Sequence, residues 1–420
     1  MSSPTPPKSP PFSLPTVVDP WIESSLVQDI LNNDLAPLDQ AIKNALGANI
    51  PQITNWNITT SKQFLLFASR VMNWQPTEIC NGKMIYWTLC LFYFILDQAP
   101  LGGQQTQISP SSYGKISPLS NWVVSFAKKV GEYMDSPNSI SAASVETFKK
   151  SPLYNYDEAL EPVDGFPTFN QLFSRRLQQG MRPISCPDDD SVVVYPADST
   201  FNSAEPIDSS SNVKIKGLEW PIRDLLAGSQ YADQFAGGHF MHAFLNTFDY
   251  HRQHAPVSGT VVEANVIQGL AYLNVLADKD GILKPHRGLV PTDNTGKTSL
   301  DAPDNAGYQF LQTRGCVIIK NPLLGYVAVL PIGMAQVSSV KLVWEPAPGQ
   351  SYPINPNVQI NKGDEISNFL FGGSDIVLVF QKGANLKILG ATGVDALGHA
   401  TQKQKYLVGM PLGVSSNTSS

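Results

Sequence analysis

A chain of 420 residues is long enough for two domains with a sizeable core. Its net charge of −6 offers no basic surface, which argues against nucleic acid as a partner. The four cysteines are widely spaced and form no CxxC pair, which argues against a zinc site or a disulfide framework and predicts a reducing, cytoplasmic location.

The first part of the chain has the apolar spacing of helices. Residues 1–20 are rich in Pro and Ser and lack an apolar stretch, so we predict a disordered tail there and no signal peptide. Residues 21–155 carry apolar side chains three and four positions apart, which predicts a helical accessory domain. The predicted helices are Ile22–Leu31, Leu38–Leu46, Lys62–Trp74, Ile85–Leu96 and Trp122–Met134, with a short last helix near Ser144.

The most apolar segment, Met84–Leu96, is shorter than the roughly twenty residues that a membrane-spanning helix needs. We therefore predict that it is a buried core helix. No histidine and no cluster of titratable side chains occurs between residues 21 and 150, so the chemistry is expected elsewhere.

Beyond residue 155 the pattern changes to short runs of β-branched residues separated by Gly, Pro and Asn. This predicts a mainly β catalytic domain over residues 156–412, a disordered tail at 413–420, and an α+β protein as a whole. We predict mobile loops at Asn202–Asn212 and Ala277–Gly307. The predicted strands are Val192–Tyr195, Phe240–Leu245, Thr260–Val266, Cys316–Lys320, Tyr326–Leu330, Val337–Val343, Ile376–Phe380 and Leu386–Leu389.

Histidines mark this second part as the candidate chemical domain, because their pKa suits proton transfer near neutral pH. All six lie there: His239, His242, His251, His254, His286 and His399. His251 and His254 lie in the densest polar stretch, just ahead of a Pro-Val-Ser-Gly turn. Three interpretations remain open: metal ligands, although no third ligand has helpful spacing; structural hydrogen-bonding groups; or a general acid/base pair, which the rigid turn favours.

Two other short stretches carry candidate chemistry. Gly372-Gly373-Ser374-Asp375 is either an ordinary tight turn entering a strand or a self-cleavage site with the Ser374 hydroxyl as nucleophile. Asp198 follows a predicted strand behind a proline bend. It is either an ordinary turn or cap residue, or a carboxylate that projects into a cleft.

Several stretches between about residues 164 and 390 match known family motifs in the same order. They are Phe166–Leu177, Arg182–Ile184, Pro196–Asp198, Ile215–Gly217, Asp224–Leu226, Tyr250–Gly259, Val327–Gly333, and Lys362–Glu365 followed by Phe369–Ser374. In this order the second part resembles the phosphatidylserine decarboxylase family, which consists of pyruvoyl-dependent decarboxylases that cleave themselves. Each motif alone is weak, but their shared order is highly specific.

The resemblance implies a role for each matching residue. Asp198 would orient His254, and His254 would take the proton of Ser374, as in an Asp-His-Ser triad. Ser374 would attack the carbonyl of Gly373, where any side chain would crowd the attack. His251 would serve decarboxylation as a proton donor or as a substrate-positioning group.

The resemblance also implies the products and the cofactor. Cleavage would leave a β chain of residues 1–373 and an α chain of residues 374–420 that begins with a pyruvoyl group. That ketone would form a Schiff base with the substrate amine and act as the electron sink, so neither pyridoxal phosphate nor a metal is expected.

Two positions depart from the usual family pattern. Many members have Gly where this chain has Ser199, and Ser or Thr where it has Asp375. A carboxylate at 375 would either slow cleavage by repelling the attacking alkoxide or favour a cationic amine. These departures keep a non-cleaving binding protein and a repurposed family member among the hypotheses.

For the substrate, the arrangement of the helical region resembles the fungal branch of the family that acts on soluble amino acids, with tryptophan decarboxylase as its best-known example. The first expectation is therefore decarboxylation of a small free amino acid, aromatic ones included, in specialised metabolism. The alternative is decarboxylation of phosphatidylserine to phosphatidylethanolamine, in which case Met84–Leu96 would contact lipid. The sequence does not predict an oligomeric state.

Overall fold

The computed structural model describes residues 10–79, 83–215, 218–273, 275–277, 283–285, 307–335, 340–389 and 404–417. The chain divides into two compact units. The first comprises residues 1–107, 115–173 and 270–287, and the second comprises residues 108–114, 174–269 and 288–420. The first unit is mainly helical and the second mainly β, so the α+β fold predicted from the sequence is confirmed.

Several helices of the first unit begin where a side chain accepts from a free N–H group, or where a proline removes such a group because it has no N–H. The Thr60 hydroxyl accepts from the N–H of Gln63 at the start of one helix, and Ser117 caps another in the same way. The helices are α1 Pro20–Ile22, α2 Ala36–Gly47, α3 Pro51–Asn55, α4 Ser61–Met72, α5 Met84–Leu96, α6 Pro118–Met134, α7 Ala142–Lys149 and α8 Phe169–Phe173.

The segment predicted as the helix Ile22–Leu31 is helical as far as Gln28, but it is not a regular α-helix. Residues 23–28 form a π-helix, and the segment ends at Asn32 and Asn33, which both have positive φ. The hydroxyl of Ser25 donates to the carbonyl of Trp21 at 2.6 Å. Such side-chain bonds compete with regular backbone pairing, which a count of apolar positions does not register.

The strands, in chain order, are β1 Val192–Val194, β2 Ser199–Pro206, β3 Asn212–Ile215, β4 Leu218–Pro221, β5 His239–Leu245, β6 Arg252–His254, β7 Gly259–Ile267, β8 Val275–Ala277, β9 Leu283–Pro285, β10 Arg314–Asn321, β11 Gly325–Met334, β12 Val340–Leu342, β13 Val358–Ile360, β14 Glu365–Phe369, β15 Gly373–Phe380, β16 Leu386–Ile388, β17 Lys405–Tyr406 and β18 Pro411–Ser415. A short helix, α9 Ile222–Leu225, follows β4.

The second unit is built on an antiparallel sheet of eight strands in the order β13-β7-β10-β11-β15-β5-β2-β17. Smaller sheets have the orders β1-β18-β16, β12-β14-β6 and β3-β4. Strand β15 has a neighbour on each side and is buried along Asp375–Phe380, which explains its unbroken apolar run.

Helix α5 is the core of the first unit, as its apolar sequence predicts. Nearly all of its side chains are buried. Phe92 stacks on Phe126 with ring centroids 4.6 Å apart, and the hydroxyl of Tyr93 donates to the carbonyl of Ala271 at 2.9 Å. The two-stranded β8–β9 sheet packs against this helix within the same unit. Across the described ranges, no helix combines the length and apolarity needed to span a bilayer.

Several predicted flexible segments are ordered where the structure describes them. Phe12 lies inside the predicted tail at 1–20 but packs against Trp74, with ring centroids 5.7 Å apart, because an aromatic side chain gains by burial. The predicted loop Asn202–Asn212 is strand through Pro206, since β2 pairs with β5. Strand β18 extends into the predicted tail at 413–420. Most of Ala277–Gly307 lies outside the described residues.

Candidate active site

Ser374 lies one residue inside β15, in the interior of the large sheet. It stands opposite Gly333 of β11 and Leu245 of β5. Two residues before Ser374, Gly372 has a φ of +145°, a backbone conformation that residues with a side chain rarely adopt. Ser374 is completely buried, and its hydroxyl has no hydrogen-bond partner within the described part of the chain. A buried hydroxyl of this kind is costly to keep unless it is used, so the geometry supports a reactive role.

His251 lies on the connection between β5 and β6. This connection runs beside the connection between β14 and β15, which leads to Ser374. Residues 246–251 link β5 to β6, and residues 370–372 link β14 to β15. Because β5 pairs with β15 and β6 pairs with β14, the two connections lie side by side. The carbonyl of His251 accepts from the N–H of Phe369 at 2.9 Å, and the side chain of His251 is completely buried.

His254 is held at both ring nitrogens. Its Nδ1 lies 2.7 Å from the carbonyl oxygen of Gly363, and its Nε2 lies 2.9 Å from the hydroxyl of Tyr250. Since a carbonyl oxygen only accepts, Nδ1 carries the hydrogen and Nε2 is the acceptor for the Tyr250 hydroxyl. Burial lowers the pKa of His254, although the Gly363 carbonyl and nearby carboxylates act in the opposite direction. The ring is therefore a neutral base with its lone pair on Nε2.

Asp198 is buried but does not hydrogen-bond to His254. Its carboxylate receives the guanidinium of Arg182, with Nε 2.8 Å from Oδ1, and accepts from the N–H of Val408 at 2.9 Å. The carbonyl of Gly363, and not the carboxylate of Asp198, holds Nδ1 of His254. The orienting contact implied by the family resemblance is thus absent from this structure.

Asp375 belongs to a buried polar cluster that the sequence analysis did not find. His242 Nε2 lies 3.1 Å from its Oδ2, and the Tyr308 hydroxyl donates to the same oxygen. Asn202 and Gln309 contact the two ring nitrogens of His242 at 3.0 and 3.2 Å. All but Asn202, which is half-buried, are buried. Since successive strand residues face opposite sides, the Asp375 carboxylate projects away from the side of Ser374.

The other candidate residues have ordinary positions or fall outside the described ranges. Ser199 is buried, and its hydroxyl donates to the carbonyl of Ala197 at 3.1 Å. His239 stands opposite Phe380, at the far end of β15 from Ser374. His286 and His399 lie outside the described residues. Within the ranges that are described, no three His, Cys, Asp or Glu side chains group as metal ligands.

Comparison with known families finds a match to the phosphatidylserine decarboxylase model over residues 169–396. The chain is 31% identical over 294 residues to phosphatidylserine decarboxylase proenzyme 2 of Oryza sativa subsp. japonica, covering 69% of this chain and 41% of that protein. It is 30% identical over 220 residues to the phosphatidylserine decarboxylase proenzyme of Halorhodospira halophila, covering 51% and 66%. It is 28% identical over 251 residues to that of Myxococcus xanthus, covering 58% and 80%.

The chain therefore spans less than two thirds of the length of the rice and Halorhodospira relatives. The matched range contains all four residues singled out from the sequence, which are Asp198, His251, His254 and Ser374. These relatives do not distinguish the fungal amino acid branch from the rest of the family.

Proposed function

This chain belongs to the phosphatidylserine decarboxylase family, and we propose that it is a pyruvoyl-dependent decarboxylase that cleaves itself between Gly373 and Ser374. The observation that carries the proposal is the position of Ser374, buried behind two glycines at the start of an interior strand. A half-buried histidine with a lowered pKa, His254, lies in the same unit and can accept a proton.

The residues at the cleavage site fit the formation of a pyruvoyl group. The Ser374 hydroxyl is buried and has no hydrogen bond among the described residues, and Gly373 has no side chain to block attack on its carbonyl. Once formed, the pyruvoyl group supplies an electron sink for decarboxylation of an amine. The chain itself supplies the proton acceptor, Nε2 of His254, and a buried imidazole, His251, on the neighbouring connection.

For the substrate, the relatives favour the alternative given by the sequence analysis. Each relative described above is named a phosphatidylserine decarboxylase proenzyme, and none of these names supports an aromatic amino acid or specialised metabolism. We therefore place phosphatidylserine first and a free amino acid second. Helix α5, which was linked to lipid contact, is buried, so it does not offer its apolar side chains to a lipid.

The first experiment is an intact mass measurement of the purified chain under denaturing conditions. We expect two fragments split between residues 373 and 374, the smaller beginning with pyruvoyl in place of serine. The Ser374→Ala variant is the control and should remain one chain. A wild-type protein that stays at full mass would contradict the proposal.

The second experiment compares substrates for the cleaved protein. Phosphatidylserine in detergent micelles should yield phosphatidylethanolamine, while free serine and free tryptophan should yield little amine. Release of tryptamine with no turnover of phosphatidylserine would instead restore the amino acid hypothesis. Ser374→Ala protein, prepared in parallel, corrects for contaminating activities in both assays.

A further inference from the structure

Asp375 is the first residue after Ser374, and two groups outside its own strand hold its carboxylate. The Tyr308 hydroxyl donates to Oδ2 of Asp375, and Nε2 of His242 lies 3.1 Å from the same oxygen. Asp375 and both partners are buried. The sequence suggested that this carboxylate would act on an alkoxide or an amine, yet it faces away from Ser374. Its contacts instead fix the backbone position next to the proposed cleavage site.

The imidazole of His242 is held on the same face of the sheet as Asp375. His242 stands opposite Val377 of β15, two residues beyond Asp375, and alternate residues of a strand share a face. Asn202 and Gln309 contact the two ring nitrogens of His242 at 3.0 and 3.2 Å. These contacts come from two further segments of the chain, so the ring is fixed independently of β15.

The segment that carries Tyr308 also contacts the strand opposite Ser374. Gly333 of β11 is the partner of Ser374 in the sheet. The N–H of Gly333 donates to the carbonyl of Thr313 at 2.8 Å. Residues 308–313 therefore hold the cleavage site at two points, through the residue that follows Ser374 and through its partner strand.

The proposed cleavage removes one of the two covalent links that hold residue 374. In the intact chain the backbone continues on both sides of this residue, whereas in the fragment 374–420 only residue 375 is bonded to it. A new chain end loses order unless other contacts tie it down. Displacing a reactive group by about 1 Å can lower the rate by about a hundredfold. The contacts of Asp375 therefore matter more after the cut than before it.

We propose that Asp375 is a positioning residue, whose carboxylate, held by Tyr308 and His242, fixes the start of the fragment 374–420 and with it the pyruvoyl group at residue 374. This inference rests on the proposed function and concerns the protein after self-cleavage. Because the carboxylate faces away from Ser374, it acts through the backbone of β15 and not by contact at residue 374.

The first test measures amide hydrogen exchange by mass spectrometry and needs no substrate. Tyr308→Phe removes the hydroxyl that donates to Asp375 but keeps the ring, which lies edge-on to His242 with centroids 6.2 Å apart. In cut protein, we expect the amides at the start of β15 to exchange about tenfold faster in the variant than in wild type. In uncut Ser374→Ala protein, where the backbone is continuous, adding Tyr308→Phe should change exchange of the same amides by less than about twofold.

The comparison of cut and uncut protein separates positioning from ordinary stabilisation. A hydrogen bond that only stabilises the fold would change exchange equally in both proteins. Equal changes therefore overturn the inference, and so does unchanged exchange in the cut variant. Tyr352→Phe is the matched control, because it removes a 2.7 Å tyrosine hydrogen bond to the Trp344 carbonyl in the same unit and should leave β15 unaffected.

The second test measures turnover per cut chain, with the cut fraction determined by intact mass. Wild type and Tyr308→Phe are compared on phosphatidylserine in detergent micelles, or on free tryptophan if that is what the wild type decarboxylates. Since a displaced reactive group weakens the chemical step more than substrate binding, we expect kcat to fall by about tenfold with little change in KM. An unchanged kcat, or a loss seen in KM alone, overturns the inference.

The two proposals fail in different ways. If the wild-type chain never cleaves, the proposed function is wrong, and the positioning role of Asp375 is wrong with it. If the wild type cleaves and Tyr308→Phe alters exchange equally in cut and uncut protein, only the positioning role is wrong.

Discussion

The burial of His254 sets the pH range in which the candidate base is available. Because burial lowers its pKa below the ordinary value of 6.5, the neutral form persists to lower pH than in an exposed histidine. We therefore expect the midpoint of the acid limb of the first-order self-cleavage rate to lie below pH 6.5. Cleavage rates of newly translated chain over about pH 5 to 8 test this. An acid limb centred above 6.5 would contradict it.

The same shift contributes to stability. A histidine that is harder to protonate in the folded state contributes stability that is present above its unfolded pKa and is lost as pH falls through that value toward the folded pKa. The contribution of His254 should thus weaken below pH 6.5.

Replacing Asp375 should affect stability more than cleavage. The Asp375→Ala change leaves the His242 ring and the Tyr308 hydroxyl buried without their shared hydrogen-bond acceptor, and a buried polar group left unsatisfied costs about 1–3 kcal/mol. Urea unfolding of the Ser374→Ala background measures the cost free of processing. Since the carboxylate faces away from Ser374, folded Asp375→Asn protein should still cleave. Complete loss of cleavage in that folded variant would assign Asp375 a direct role.

For individual residues, the sequence identified the candidates but not the contacts that their side chains make. His251, His254 and Ser374 stood out because residue type and local spacing are visible in the chain. The Asp198–Arg182 pair and the Gly363 carbonyl at His254 depend on backbone positions far apart in sequence. Asp375 drew attention in the sequence because family members usually have Ser or Thr at this position. Its partner Tyr308 lies in no recognisable sequence motif.

Among the elements, strand β7 depends on Gly259 at its first residue. Gly259 has φ of +153°, and a Cβ there would lie 2.4 Å from the carbonyl oxygen of Lys320 in β10. Gly259→Ala should therefore lower the free energy of unfolding by about 1–3 kcal/mol. Gly383→Ala is the control, because its Cβ would meet nothing within 4 Å. Urea unfolding compares the two in the Ser374→Ala background, and equal midpoints would contradict the prediction.

Strand positions were predictable because β-branched runs end at Gly, Pro or Asn. The order of the strands was not, since β15 pairs with β11 and with β5, and no local pattern specifies a partner. Asn202 was placed in a loop because its segment is polar, yet pairing with β5 makes that segment a strand.

For the whole molecule, the proposed cut leaves the two products joined by their strands. The fragment 374–420 contributes β15 to the interior of the large sheet, β17 to its edge, and β16 and β18 to the sheet that contains β1. We expect both fragments to stay together through size-exclusion chromatography and to separate only in denaturant. Native and denaturing mass spectra of one sample test this. Loss of the small fragment under native conditions would contradict it.

The interior position of β15 determines when in folding the proposed cleavage can take place. Ser374 lies between two partner strands, one of which, β5, comes more than a hundred residues earlier in the chain, so the cleavage geometry exists only after distant segments have met. Under the proposed function, each cut molecule would therefore already have completed its sheet. If the chain cleaves as proposed, the ratio of cut to uncut chain in a cell would report the fraction of molecules that had folded, and later unfolding would not change that ratio.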